Sequence, residues 1–266
     1  MDRANEMLDS PLDSVLTIGG LDLGGGAGLV RDVLTACALG ARPLVVATAW
    51  TEQGTGVHRV APRDADELAD SVRQQVAARP AAVKIGMVPD AKRAAAVIAG
   101  LGAFAGPVVV DPVLASSRGG ALFRGAASEL LPLLRRATLV TPNAAEAAAL
   151  CGLPVTSAAE AAAAARALAA RGVAAVLVKG GHLGDRNLAE PVTDTLLAGA
   201  ELHHLAHARV GGGDVRGTGC ALATALAVHL GRGATPLAAT NAATAWLARA
   251  LAAAVEVGDE RHLGWV

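Results

Sequence analysis

Residues 14–39 read SVLTIGGLDLGGGAGLVRDVLTACAL. The opening SVLTIG is a short continuous apolar run of strand length, residues 27–39 carry apolar side chains at helical spacing, and a glycine-rich stretch joins the two. A buried strand, a glycine turn and a helix make the first unit of an α/β sheet covered on both faces, and such sheets collect their ligands at the carboxyl ends of the strands. The glycines are too contiguous for the dinucleotide fingerprint, so a Rossmann assignment is weak. Asp22 lies between the strand and the glycines, where a carboxylate either closes a turn or accepts hydrogen bonds from a polar small molecule.

The same alternation continues along the chain. Strands are expected at SVLTIG from Ser14, PLVVATA from Pro43, AAVKIG from Ala81, PVVVD from Pro107, ATLVT from Ala137 and AAVLVKG from Ala174, with a weaker pair over 193–197 and 202–206. Helices are expected over about 27–39, 64–78, 91–101, 127–135, 143–150, 157–171 and 221–230. Asp64 with Glu67, Asn143 with Glu146 and Ser157 with Glu160 have capping-box spacing. The alanine run at 158–170 reads as a strong helix former, and neither a linker nor an internal repeat divides the chain. The expected layout is a short tail over 1–13, one catalytic-size domain over 14–256 and a second tail over 257–266.

A second glycine-rich turn, GGGDVRGTGC at 211–220, runs straight into the apolar helix ALATALAVHL. The start of a helix leaves backbone N–H groups unpaired with the positive end of the dipole behind them, which suits a phosphate or a developing oxyanion. Cys220 sits in that field, where thiolate is favoured over thiol, so it is a candidate base or nucleophile as well as a candidate buried packing residue. A third segment, LVTPNAAEAAAL at 139–150, ends a strand in Thr-Pro-Asn and opens a helix. Glu146 there is either the capping partner of Asn143 or a carboxylate that positions a divalent ion through water.

Composition narrows the partners. The 266 residues are 53% hydrophobic and carry 23 Lys+Arg against 24 Asp+Glu, which gives ample core and no bulk attraction for nucleic acid. With no Tyr, two Phe and three Trp, the aromatic platforms that stack single-stranded bases are nearly absent. Three scattered cysteines form neither a disulfide framework nor a CxxC metal site, the start MDRANEMLDSPLDS lacks the apolar core of a signal peptide, and no run spans a membrane. A cytoplasmic enzyme with a small-molecule substrate is expected, without nucleic acid or membrane.

Seven short motifs in order resemble the ribokinase superfamily and, within it, the hydroxymethylpyrimidine/phosphomethylpyrimidine kinases of thiamine biosynthesis. They are GLDLGGGAG at 20–28, Ala-Thr-Ala at 47–49 with Gln53, KIGM at 84–87, VDPV at 110–113, TPN with Glu146, VKGGH at 178–182 and GTGC at 217–220. The resemblance implies a ribokinase-like three-layer α/β/α fold with a mainly parallel sheet, ATP and Mg²⁺ as cosubstrate and ion, and a homodimer. It implies that Asp22 and Gln53 hydrogen-bond the aminopyrimidine while Met87 and Val113 form its apolar walls. Lys179, Asn143, Arg216 and Asp111 are then expected on the nucleotide side, Asp111 and Glu146 in the metal and water network, and Gly217, Thr218, Gly219 and Cys220 as the anion hole with its base. The chain departs from the family where Arg216 replaces a histidine, where Leu21, Leu23 and Gly24 replace polar loop residues, in the shortened TEQGTGV, in SSRG at 116–119 and in the ending GDERHLGWV. Pyridoxal kinase shares the fold and the anion loop and is the nearest alternative, and a catalytically silent pyrimidine-binding relative is the alternative of another class.

Overall fold

The alternating strands and helices assemble into one sheet in a computed structural model that describes residues 13–53, 57–116, 119–181, 191–210, 215–258, 260–264 and 266. Strands β1 (Ser14–Asp22), β2 (Arg42–Gln53), β3 (Val57–Pro62), β4 (Ala82–Ile85), β5 (Val108–Val110), β6 (Leu139–Val140), β7 (Ala175–Val178), β8 (Val192–Ala198) and β9 (Glu201–His207) lie in the order β3-β2-β1-β4-β5-β6-β7-β8-β9. The six strands from β2 to β7 across the sheet are parallel, whereas β3 at one edge and β8 near the other run against them and β9 closes that edge as the antiparallel partner of β8. The order reverses between β1 and β4, which makes their carboxyl ends the switch point where an open α/β sheet leaves a crevice.

Helices α1 (Gly28–Ala38), α2 (Ala65–Ala77), α3 (Ala91–Leu101), α4 (Leu131–Leu134), α5 (Ala144–Cys151), α6 (Ala158–Ala170), α7 (Thr218–Gly231) and α8 (Pro236–Ala252) cover both faces. Alternate residues of each central strand point to opposite sides. Leu16, Ile18, Val83, Ile85, Val108 and Val110 pack with α2 to α6 on one face, and Val15, Ala82 and Val109 pack with α1, α7 and α8 on the other. The result is the three-layer arrangement expected from the sequence. Because so much of α7 is Ala and Leu and it is buried on nearly every side, it carries no marked polar face.

Local signals set most helix starts. Asn143 and Glu146 close a reciprocal capping box, while Asp64 accepts from the N–H of Asp66 and Glu67 and Ser157 accepts from Glu160 without the return bond. Glu160 instead accepts from the N–H and hydroxyl of Thr156, at 2.7 Å each. Residues 127–135 form a 3₁₀ turn, Ala127–Leu130, before α4, so the expected single helix is broken.

Three features depart from the sequence reading. Helix α8 begins at a Thr235 cap with Pro236 in its first turn and was not assigned. The edge strand β3 was also unassigned. Where a tail was expected from 257 onward, the described residues pack on the domain: β11 (Val255–Val257) and β12 (Glu260–His262) form a small sheet in which β12 pairs in parallel with β10 (Val215–Arg216), and Leu263 is buried in the α7/α8 core. Strands of two or three residues have no periodicity to read, and this pairing joins residues far apart in sequence.

Candidate active site

The carboxyl ends of the parallel strands deliver the site. Asp22 ends β1, Gln53 ends β2, Met87 follows β4, Asp111 follows β5, Asn143 follows β6 and Lys179 follows β7. The side chain of Gln53, the loop 54–56, Ser117, Arg118, His182 and GGGD at 211–214 lie outside the described residues.

Lys179 and Asp111 form the centre. The Lys179 ammonium donates to Asp111 Oδ1 at 2.7 Å, and the Thr141 hydroxyl donates to the same oxygen at 3.1 Å. Burial works against charge on Lys179, but the carboxylates of Asp111 and Glu146 outweigh it and hold the ammonium above its ordinary range. Asn143 spends its side-chain oxygen on the start of α5, at 2.9 Å from the Glu146 N–H. Glu146 accepts from the Asn143 N–H at 2.8 Å, and burial pushes its carboxyl up to about 7, against the pull of Lys179 and with the push of Asp111. Among the described residues no three His, Cys, Asp or Glu side chains form a metal cage. Two carboxylates beside a phosphate site, Asp111 and Glu146, fit a Mg²⁺ ion that keeps most of its waters.

The two glycine turns meet beside this pair. Gly217 has φ 76° and caps α7, and a Cβ on it would stand 2.5 Å from the carbonyl oxygen of Gly26, while one on Gly28, at φ 58°, would stand 2.3 Å from the Gly20 oxygen. Only glycine fits both places. A Cβ at Gly219 would lie 3.3 Å from Lys179 Nζ and 3.5 Å from Asp111 Oδ2, so the first turn of α7 abuts the lysine–aspartate pair. No side chain caps that turn. Cys220 stands in it, with the Gly28 N–H donating toward its sulfur. The thiolate expected from the helix dipole is overturned here: burial, with Asp32 and Asp111 adding to it, pushes the thiol up to about 11 even though Lys84 pulls the other way. Desolvation and the helix end pull in opposite directions on this partly exposed side chain, and the shift toward the thiol follows desolvation.

Met87 and Val113, expected as apolar walls for a substrate, come together with Ala49, Leu122 and Val60 in a small apolar cluster. Asp22 is 1% exposed, accepts from the Gly24 N–H at 3.2 Å and accepts from Arg216 at 2.9 Å. Arg216 was expected on the nucleotide side. The fold instead commits its guanidinium to two carboxylates, Asp22 and Glu260 (2.8 Å), with His262 behind Glu260 at 3.4 Å, because β12 lays the C-terminal residues beside β10.

Several residues were missed. Lys84 enters the sequence pattern only within KIGM, and no sequence motif assigns a role to Asp32, Thr224, Glu260 or His262. A lysine inside AVKIG and an aspartate on the inner face of the first helix were legible as buried charges in need of partners. The link from Glu260 to Arg216 was not, since it depends on a strand pairing without local signal.

A three-layer α/β/α sheet with an uncapped glycine-led helix, a lysine–aspartate pair and buried carboxylates at its carboxyl edge defines a small-molecule kinase of the ribokinase-like class. The profile of the phosphomethylpyrimidine kinase family matches residues 22–264, and the chain belongs to that family. It is 40% identical over 258 residues to a hydroxymethylpyrimidine/phosphomethylpyrimidine kinase of Rhizobium meliloti, covering 92% of this chain and 94% of that one. A Streptomyces coelicolor protein of the same description is 37% identical over 92% of this chain and 90% of its own. Among solved structures, the pyridoxal kinase of Staphylococcus aureus in complex with AMP-PCP and pyridoxal superposes with a TM-score of 0.85 at 27% identity, over 95% of this chain and 93% of that chain. The phosphomethylpyrimidine kinase of Clostridium difficile gives 0.73 at 28% identity, over 90% and 99%.

Proposed function

We propose that the protein transfers the γ-phosphoryl group of ATP to 4-amino-5-hydroxymethyl-2-methylpyrimidine and then to its monophosphate. The observation that carries this reading is the contact of Gly219 with Lys179 and Asp111, which sets backbone N–H donors, a cation and a carboxylate around one point where a phosphoryl group can be held. Phosphoryl transfer asks mainly for alignment and charge stabilisation, and these groups provide both. Asp22 retains lone pairs for an exocyclic amino group although Arg216 and Gly24 already donate to it, and Met87 and Val113 supply the apolar wall. In the first transfer the hydroxymethyl oxygen bonds to the γ-phosphorus as the bond to the β-phosphate oxygen breaks, and its proton passes to the Cys220 thiolate, formed beforehand by release of the thiol proton to solvent. In the second the acceptor is an anionic phosphate oxygen, which needs no base. Asp111 and Glu146 would hold a hydrated Mg²⁺, whose role is to neutralise charge on the β- and γ-phosphates.

The test is an ATP-consumption assay with the hydroxymethylpyrimidine, its monophosphate and pyridoxal across a concentration series. The pyrimidines are expected to give the highest kcat/KM. The superposition on a pyridoxal kinase favours pyridoxal as second reading, and better turnover of pyridoxal would establish it. No turnover of any would make the chain a silent binding protein. The same reading carries a homodimer in the cytoplasm, checked by light scattering and by fractionation.

A further inference from the structure

Beneath the two glycine turns lies an ion pair that phosphoryl transfer as described above does not use. Lys84 and Asp32 are 1% and 0% exposed, and the ammonium donates to both carboxylate oxygens, at 2.8 and 2.7 Å. The Thr224 hydroxyl donates to Asp32 Oδ1 at 2.9 Å. The three residues come from three elements, β4, α1 and α7, and these are the elements that lead into Met87, out of the first glycine turn and out of the anion loop. Thr224 is four residues after Cys220 and so lies one turn below it on the same side of α7. The pair lies at the switch point beside Gly86, where a Cβ would stand 2.7 Å from Lys84 Nζ and displace the ammonium. Apolar side chains of equal volume in such a place commonly give equal or greater stability, so stability alone does not account for a buried ion pair.

We propose that the Asp32–Lys84 pair, keyed to α7 through Thr224, consists of positioning residues for the transfer loop: it fixes Cys220 relative to both glycine turns and biases whether the sulfur holds a proton. The inference rests on Cys220 as the proton acceptor. Among the described residues, the charged groups that act on the sulfur are Arg31 and Asp32 from α1, Lys84 from β4, Asp111 after β5 and Lys179 after β7. Lys84 draws the thiol toward ionisation, and Asp32 opposes it together with Asp111. The two halves of one pair therefore act on the sulfur with opposite signs.

That sign difference is the test. Alkylation of Cys220 by iodoacetamide, followed peptide by peptide in the mass spectrometer from pH 7 to pH 10, is expected to slow roughly tenfold in Lys84→Met and to quicken roughly tenfold in Asp32→Asn. A pair that only braces the fold would move both variants the same way, since loosening exposes the thiol in either case, and that result would overturn the proposal. The apolar double variant Lys84→Met/Asp32→Leu guards against misfolding. It is expected to melt no lower than the parent and to bind ADP normally, yet to lose about 10²-fold in kcat for the unphosphorylated pyrimidine, the usual consequence of a small misplacement. Wild-type kcat in that variant would equally overturn it. If the parent turns over no heteroaromatic alcohol, the kinase reading fails, while the alkylation rates still decide the influence of the pair on the sulfur.

Discussion

Burial pushes the Cys220 thiol up to about 11, so the resting side chain carries its proton. A thiol has no place for a second proton, so Cys220 serves the alcohol step only after that proton has left to solvent and the thiolate takes the hydroxymethyl proton as the new bond to phosphorus forms. Cys220→Ala is expected to lower kcat for the hydroxymethylpyrimidine by about 10²–10⁴ while leaving the monophosphate step within a few-fold, measured by single-turnover transfer from ATP. Equal loss in both steps would assign the cysteine a packing role. Glu146 gives a stability counterpart. Its carboxyl is raised to about 7, so the folded protein favours the protonated form and loses stability as pH rises from the ordinary carboxyl range near 4.5 through 7. Glu146→Gln keeps an acceptor for the Asn143 N–H and does not titrate. Its melting temperature is expected to exceed that of the parent at pH 8 and to match it near pH 4.5; a gain independent of pH would refute the buried-carboxylate account. Arg216 makes a third case: Arg216→Met strands Asp22 at 1% exposure, and urea unfolding is expected to show a loss of about 3–5 kcal/mol.

The glycine turns show how elements depend on one another. Gly217 must take φ 76° and leaves no room for a Cβ beside the Gly26 carbonyl, so the glycine turns ahead of α1 and α7 are pressed together at this point. Gly217→Ala is expected to cost about 1–3 kcal/mol in backbone strain alone and to weaken ADP and pyrimidine binding together. Calorimetry with each ligand checks this, and loss of only one would mean that the two loops move independently. The same contact explains why the motifs were legible while their geometry was not. GTGC announces a glycine-led helix start, but its distance from GGGAG follows from how α1 and α7 pack side by side on one face of the sheet.

At the scale of the molecule the central strands bury one row of side chains in each of the two cores, so neither helical layer has a sheet of its own. Unfolding is expected to be a single transition in which fluorescence, reporting on buried Trp246 and half-exposed Trp50, coincides with far-ultraviolet dichroism; separated transitions would show the layers to be independent. The sequence by itself determined the layers and most of their parts: apolar strand runs, helical spacing, caps at Asp64, Asn143 and Ser157, and the two glycine turns. These rest on interactions within a few residues, and they leave a local signature. It also determined which residues stand at strand ends, and hence that Asp22, Asp111, Glu146, Lys179 and Cys220 share one edge. Only the tertiary structure decided what each of them faces. Arg216 turns to Asp22 because β12 seats Glu260 beside it, the Cys220 thiol is pushed up by desolvation and by the carboxylates of Asp32 and Asp111, and Lys84 finds Asp32 across the switch point. Partner choice and desolvation depend on groups brought together from distant parts of the chain, and no local pattern of residues carries them.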